Sequence, residues 1–123
     1  MEKRDRRTDG QQAEACAAQH LVRLGYLIRD RNVHCRYGEI DIVAEKGGML
    51  VFVEVRMRST RRWGDPSLTV SRTKQRRIIL ASLEYISRRR LGNRPVRFDV
   101  VSIVGRDRSS EIDLIENAFD AGM

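Results

Sequence analysis

Two apolar runs separated by a pair of glycines stand out in the pattern of hydrophobic and polar positions along the chain. Gly47-Gly48 follow a run of β-branched residues that starts at Ile40, and a second such run begins at Leu50. Glycine pairs between strand-like runs predict a β-hairpin, because both central residues of a tight turn can adopt positive φ. With these glycines as the loop, Lys46 faces Met49 across the hairpin.

The predicted hairpin register brings acidic residues of the two strands together. Asp41 is directly opposite Glu54, and Glu39 is opposite Arg56. Because side chains alternate along a strand, these side chains share one face. A three-residue loop would instead place Glu54 on the opposite face from Asp41. The other face is then an apolar core face, which carries Ile40, Ile42, Val51, Val53 and Val55.

The facing carboxylates have two interpretations. Two acids directly opposite each other repel, and a divalent cation would offset that repulsion, since Mg²⁺ is typically held by one or two carboxylates with water and phosphate oxygens. Alternatively, Glu39 and Arg56 form an ordinary ion pair on a solvated face, with Asp41 and Glu54 simply exposed. The pattern alone leaves both interpretations open.

Two segments carry apolar residues at helical spacing. The first covers residues 11–24, and Gly25 suits the position after its end. The second covers residues 72–89, with Ser71 as its N-cap. Glu14 lies beside the apolar stripe of the first helix, so it is either an N-terminal charge favoured by the helix dipole or a site residue.

The remaining apolar runs predict further strands around the hairpin. Residues 26–33 form a first strand, residues 96–104 a strand buried on both faces, and residues 111–115 a short final strand. The first three strands form an antiparallel meander, and the second helix crosses over to the fourth strand. The predicted fold class is therefore α/β, with a helix–three strands–helix–strand core and a mixed central sheet flanked by helices.

Length and composition limit the class of protein. At 123 residues with 41% apolar content, the chain forms one domain with a single hydrophobic core. We expect that domain over residues 10–119, between a flexible basic arm over 1–9 and a tail over 120–123. No apolar segment is long enough for a bilayer or a signal peptide, and Cys16 and Cys35 fit a reducing compartment. We therefore expect a cytoplasmic protein without membrane attachment, whose oligomeric state, including a homodimer, stays open.

Basic residues outnumber acidic ones and gather near the predicted hairpin. The net charge is +7, which favours a polyanionic partner. The loop after the hairpin combines Arg61 and Arg62 with Trp63, which suits phosphate contact and base stacking, although Trp63 would equally suit covering the end of the core. The first turns of the second helix carry further cations, which oppose the helix dipole and suit phosphate, namely Lys74, Arg76 and Arg77.

Several motifs together resemble the YraN family of small bacterial proteins, which are regarded as endonuclease-like. The motifs are Gly38-Glu-Ile-Asp41, Leu50-Val-Phe-Val-Glu-Val55, Lys74, Arg97-Phe-Asp-Val-Val101 and Asn117-Ala-Phe119. That family is similar to Holliday-junction resolvases within the PD-(D/E)XK nuclease superfamily. The resemblance spans residues 10–119 and implies a restriction-endonuclease-like core in the element order predicted above.

The resemblance also implies roles for particular residues. Asp41 and Glu54 would be ligands of a Mg²⁺ or Mn²⁺ ion, joined by the backbone carbonyl of Val55. Glu14 matches an acid that some relatives present from the first helix, and Glu39 lies in the motif with a less settled role.

Arg56 occupies the position of the superfamily's lysine and leaves two explanations for the chemistry. An arginine can orient water and stabilise negative charge, but it cannot act as a base. Arg56 either reflects the general replacement of lysine by arginine in this chain, with the metal alone activating water, or hydrolysis is lost or weak. Lys74, which we expect close to the site, is a candidate for supplying an amine. The candidate catalytic residues are therefore Glu39, Asp41, Glu54, Arg56 and Lys74.

Three functions follow, in order of preference. The first is a Mg²⁺- or Mn²⁺-dependent endonuclease-like protein that hydrolyses phosphodiester bonds in DNA. In it, the nucleic-acid backbone is held by Arg61, Arg62, Lys74, Arg76 and Arg77. The second is a nucleic-acid-binding module of the same fold without catalytic activity. The third is an adaptor whose arginines are solvated or contact an acidic protein partner.

Overall fold

A computed structural model describes residues 6–58, 70–105 and 111–120 of the chain. The elements in chain order are α1 (Arg6–Arg23), β1 (Leu27–Cys35), β2 (Gly38–Lys46), β3 (Met49–Arg58), α2 (Arg72–Arg89), β4 (Val96–Val104) and β5 (Glu111–Phe119). Within these described ranges, neither α1 nor α2 combines the length and the apolar composition that crossing a bilayer requires.

The strands form one five-stranded sheet in the order β1-β2-β3-β4-β5. Strands β1, β2 and β3 pair antiparallel, β4 pairs parallel with β3 across the α2 crossover, and β5 returns antiparallel to β4. Lys46 faces Met49, and Gly47 and Gly48 have φ of 58° and 83°, so the predicted two-residue loop is confirmed. The architecture is therefore the predicted α/β fold, a mixed central sheet flanked by helices.

Each face of the sheet carries its own hydrophobic core. On one face, α1 packs Ala17 and Leu21 against the sheet, and on the other, α2 contributes Ile78 and Tyr85. Because both faces are covered, the interpretation of Glu54 as a side chain on a solvated face is wrong, and only 7% of its surface is exposed.

The predicted apolar face needs one correction. Ile42, Val51 and Val53 pack on the α1 side as predicted, but Ile40 packs on the α2 side. Ile40 and Ile42 therefore lie on opposite faces, and strict side-chain alternation breaks at Asp41. The reason is that the β2–β3 pairing ends at Ile42 and Val53, so β2 no longer follows the pleat of β3 beyond that pair.

Helix α1 and strand β5 are longer than their sequence patterns predict. Helix α1 begins at Arg6 rather than at residue 11, and β5 reaches Phe119 rather than residue 115. The ring of Phe119 stacks on Phe98 with centroids 5.1 Å apart, and the Asn117 N–H donates to a carboxylate oxygen of Asp99 at 3.0 Å. These long-range contacts extend β5. A polar sequence such as Glu116-Asn117 does not predict them.

Candidate functional site

The candidate site lies where β2 separates from β3. Backbone pairing between these strands ends at Ile42 and Val53. Just beyond that pair, the Val55 N–H donates to Oδ2 of Asp41 at 2.8 Å. A continued antiparallel ladder would give this N–H a backbone carbonyl, so the Asp41 side chain takes the place of the missing main-chain acceptor. Asp41 is thereby fixed to the strand that carries Glu54.

The carboxyls of Asp41 and Glu54 are close enough to share a hydrogen bond. Burial, together with the hydrogen bond and negative charge of Asp41, raises the pKa of Glu54 to about 8. Lys74 opposes this shift, because its Nζ lies 3.3 Å from Oε1 of Glu54. The site thus combines a buried carboxyl, Glu54, with a half-buried one, Asp41, and Lys74 only partly offsets the cost of placing them together.

Asp41 also connects two cavities on opposite sides of the sheet. The cavity on the α1 side has a volume of about 510 Å³ and is lined by Glu14, Glu39 and Asp41. The cavity on the α2 side has a volume of about 440 Å³, and there Lys74 and Glu54 join Glu39 and Asp41. Both cavities are open to solvent, so Asp41 is accessible to a bound molecule from either side and Glu54 from the α2 side.

The α1-side cavity holds Glu14, which faces Asp41. Burial raises the pKa of Glu14, and the charge of Asp41 contributes to the same effect, whereas Arg31 opposes it. The Nε of Arg31 lies 3.6 Å from Oε1 of Glu14. Because this arginine engages the carboxylate, the role of Glu14 as a ligand stays a prediction. Glu39, which is exposed at the rim, contacts His34 with Oε1 3.1 Å from Nδ1.

The acidic pair fits a hard divalent cation. Across residues 6–58, 70–105 and 111–120, no three His, Cys, Asp or Glu side chains converge on one ion position. Among the described residues, Asp41 and Glu54 are therefore the carboxylates that would hold such an ion, and one or two carboxylates with water and phosphate oxygens is a common ligand set for Mg²⁺ or Mn²⁺. Val55 contacts Asp41 through its N–H, and a role for its carbonyl stays a prediction.

Basic residues border the α2-side cavity. Ser71 caps α2 by accepting from the Lys74 N–H at 3.1 Å, and this cap fixes the turn that presents Lys74 to Glu54. Arg77 lines the same cavity, and Arg76 is exposed beside it. Arg56, the next residue after Glu54 on the same side of β3, is half-buried. The predicted nucleic-acid contacts Arg61, Arg62 and Trp63 lie outside the described residues.

Sequence reasoning missed two residues of the site. Arg31 pairs with Glu14, and His34 pairs with Glu39, but the predicted first strand over residues 26–33 contained Arg31 and ended before His34, and neither residue was assigned to the site. The β1–β2 register brings His34 opposite Glu39. No glycine or asparagine marks the turn between these strands, so the pattern offered no signal for that register.

The fold and the site together define an α/β protein with a mixed sheet, whose central strands hold a close pair of carboxyls beside a basic helix. The chain belongs to the uncharacterised protein family UPF0102, whose profile matches residues 13–103. This match includes Glu14, Asp41, Glu54 and Lys74.

Relatives of the same family cover nearly the whole chain. A UPF0102 protein of Myxococcus xanthus is 50% identical over 119 residues, which is 97% of this chain and 94% of the relative. A UPF0102 protein of Syntrophus aciditrophicus is 42% identical over 111 residues, covering 90% of this chain and 87% of the relative. One of Symbiobacterium thermophilum is 45% identical over 113 residues, with coverages of 91% and 96%.

Proposed function

We propose that this protein is a Mg²⁺- or Mn²⁺-dependent nuclease of the YraN type, which hydrolyses phosphodiester bonds in DNA. The observation that carries this proposal is the close Asp41–Glu54 pair, which is held at an opening of the sheet with Lys74 beside it. A buried carboxyl such as Glu54 beside a second acid is costly for the fold, so its presence at an open cavity favours a functional role.

The proposal assigns the ion to Asp41 and Glu54. When bound, the ion would supply positive charge that neutralises the two carboxylates and polarises a phosphate oxygen. The Val55 N–H orients Asp41 through its hydrogen bond, and burial between the two helices keeps Glu54 in a fixed position. Both side chains are thus held before any ligand arrives, which lowers the ordering cost of binding.

We assign to Lys74 the role of balancing the negative charge on the reacting phosphate. Its ammonium group is half-exposed and already oriented by Glu54, so it can reach a phosphate in the α2-side cavity. Arg56 supplies a further permanent positive charge and no base. Arg76 and Arg77 would contact backbone phosphates, which gives binding that does not depend on sequence and weakens with salt. The free cysteines Cys16 and Cys35 fit the reducing cytoplasm that we propose as its location.

Calorimetric titration with Mn²⁺ and a cleavage assay on labelled DNA test the proposal together. We expect binding heat and cleavage for the wild type, and loss of both in Asp41→Asn and Glu54→Gln, with cleavage reduced about 100-fold or more. Glu45→Gln is the matched control, because Glu45 lies at the other end of β2 and pairs with Arg29 and Arg94. A wild type that cuts no branched, single-stranded or duplex DNA in Mn²⁺ would contradict the proposal.

A second candidate function is a nucleic-acid-binding module without hydrolysis. Arg56 favours it, because an arginine stands where the superfamily has a lysine. In this case the protein would shift labelled DNA equally well in EDTA and as Asp41→Asn, and Mn²⁺ would give no heat. The calorimetric arm of the same experiment therefore separates the two candidates.

A further inference from the structure

Two residues with large side chains form the turn between β1 and β2. Cys35 pairs with Gly38, which leaves Arg36 and Tyr37 as the loop residues. Tight hairpin turns favour glycine, asparagine or aspartate, because their central residues usually need positive φ. Within the described backbone, neither Arg36 nor Tyr37 has positive φ. The local chain conformation therefore gives no reason for an aromatic residue at this position.

The same turn is fastened to helix α2. The Arg36 N–H donates to Oε2 of Glu84 at 2.9 Å, and Sγ of Cys35 lies 3.7 Å from the carbonyl oxygen of Ala81. Glu84 is itself held by Arg88, with Oε1 3.1 Å from Nη2. These contacts restrain the loop from one side, so any side chain that it presents to solvent is already positioned and loses little entropy on binding.

Tyr37 presents its ring at the surface. Its exposed fraction is 44%, whereas Tyr26 and Tyr85 are each 3% exposed and belong to the two cores. The guanidinium carbon of Arg36 lies 5.8 Å from the centroid of the Tyr37 ring. An exposed ring accompanied by an arginine is the arrangement on which proteins stack unpaired bases of single-stranded nucleic acid.

The position of Tyr37 relates it to the candidate site. The next residue, Gly38, lines the α2-side cavity together with Glu54, Lys74 and Arg77. A Cβ atom at Gly38 would lie 3.6 Å from the Cβ of Arg77, so the turn borders this basic part of the cavity directly. A phosphate bound in the cavity would therefore lie next to the turn that carries Tyr37.

We infer that Tyr37, accompanied by Arg36, is a stacking platform for an unpaired base, so that the protein prefers single-stranded segments of nucleic acid over continuous duplex. The inference rests on the proposed function and specifies its substrate class. Bases inside a duplex are stacked on their neighbours and do not offer a face to the ring, whereas an unpaired base does. Phosphate contacts alone do not make this distinction.

Fluorescence anisotropy of the full-length protein in EDTA tests the inference without cleavage. The probes are an oligothymidylate of about 15 nucleotides, a duplex of equal length, and an abasic strand with the same phosphates. We expect Tyr37→Leu to bind oligothymidylate about tenfold more weakly, with duplex and abasic affinities changed less than about twofold. Tyr37→Phe should retain wild-type affinity, because the ring is kept.

Leu83→Ser is the matched control, since Leu83 is 58% exposed on α2 and lines a separate cavity with Phe98 and Phe119. It should change no affinity, and all variants should keep the wild-type circular dichroism melting curve. An unchanged affinity of Tyr37→Leu for oligothymidylate overturns the inference while the nuclease proposal stands. An equal loss on all three probes also overturns it, because the loss then concerns phosphates or the fold. A wild type that binds none of the probes contradicts the proposed function itself.

Discussion

Glu54 lies on a central strand with its carboxyl beside both Asp41 and Lys74. The residues that precede it along β3, from Leu50 to Val53, are apolar and buried, so an apolar residue at position 54 would pack without an electrostatic cost. The cost appears as a raised pKa, because the folded protein holds the proton of this carboxyl more tightly than an unfolded chain does. A residue that weakens the fold in this way is typical of a binding or catalytic site.

The raised pKa of Glu54 makes the stability of the metal-free protein depend on pH. Its folded-state pKa of about 8 lies above the ordinary value of 4.5, so stability from this group is fully present below pH 4.5 and is lost as pH rises through about 8. Glu54→Gln removes this loss. In EDTA we expect the variant to gain on the order of 2 kcal/mol over the wild type between pH 5 and pH 8.5, measured by urea unfolding. If the free energy of unfolding of variant and wild type changed with pH in the same way, the raised pKa of Glu54 would be contradicted.

Lys74 allows a separate test of charge in the cavity. Lys74→Met removes the ammonium group beside Glu54, and we expect cleavage of DNA in Mn²⁺ to fall about 100-fold. Lys74→Arg keeps the charge, so it should retain activity within about tenfold of the wild type. If both substitutions abolish activity equally while the melting temperature is unchanged, the amine itself takes part in proton transfer and charge alone is an insufficient account.

At the scale of secondary-structure elements, two aspartates each accept a backbone hydrogen bond where the sheet becomes irregular. Asp41 accepts from the Val55 N–H where β2 leaves β3. Asp99 accepts from the Asn117 N–H where the β4–β5 register shifts between Phe98 and Val100. An irregular ladder leaves backbone N–H groups without a main-chain acceptor, and a buried carboxylate supplies one. Asp41 faces open cavities, whereas Asp99 is buried in the core. Asp41 is therefore the candidate site residue, and Asp99 is a structural one.

The structural aspartate is paired with an arginine on the same strand. Arg97 donates to both carboxylate oxygens of Asp99, from Nε at 2.8 Å and from Nη2 at 2.7 Å, and also reaches the Tyr26 hydroxyl at 2.6 Å. Asp99 is fully buried, and Tyr26 directly precedes β1 after helix α1. This network therefore joins the end of α1 to β4 and β5.

Asp99→Asn should destabilise the protein strongly, because it leaves the Arg97 guanidinium without its buried counter-charge. We expect a loss of about 3–5 kcal/mol in the free energy of unfolding, measured by urea denaturation. Arg88→Ala is the control, since Arg88 and Glu84 form an exposed i,i+4 pair on α2 that is worth about 0.5 kcal/mol or less. A cost for Asp99→Asn as small as that of the control would show that the network contributes little to the fold.

At the scale of the whole molecule, the net charge of +7 is distributed unevenly. Lys74, Arg76 and Arg77 lie on the first turns of α2 at the candidate site, where they oppose the helix dipole. Arg88, Arg89 and Arg90 lie at the other end of the helix, where the dipole favours cations. The first group is therefore the part of the positive charge that helix stability does not explain, and it points to a bound anion.

The salt dependence of DNA binding distinguishes these two groups. We expect the double substitution of Arg76 and Arg77 by glutamine to reduce the slope of log affinity against log salt by about 1 to 2. The matched control replaces Arg89 and Arg90 by glutamine, which changes the net charge by the same amount at the far end of α2 and keeps the Glu84–Arg88 pair. Equal slopes for the two double variants would mean that binding follows net charge alone and not the location of the cations.

The sequence by itself determined the elements and the central hairpin. Strand alternation, helical spacing and the Gly47-Gly48 turn depend on residues close together in the chain, and these predicted the element order, the β1–β2–β3 meander, the α2 helix and the Lys46–Met49 register. That register predicted the near approach of Asp41 and Glu54, although the backbone pairing itself ends one pair earlier, at Ile42 and Val53. Local patterns sufficed because the loop conformation and the pleat fix which residues meet across a hairpin.

Only the tertiary structure decided how the site is held. Arg31 on Glu14, Lys74 on Glu54 and Asn117 on Asp99 are contacts between distant segments, and their geometry comes from helices packing on both faces of the sheet. The reversal of Ile40 at the end of the β2–β3 pairing is likewise set by the core around it. The pattern of residues along the chain contains no information about such packing. The burial that raises the pKa of Glu54 exists only after both cores have formed.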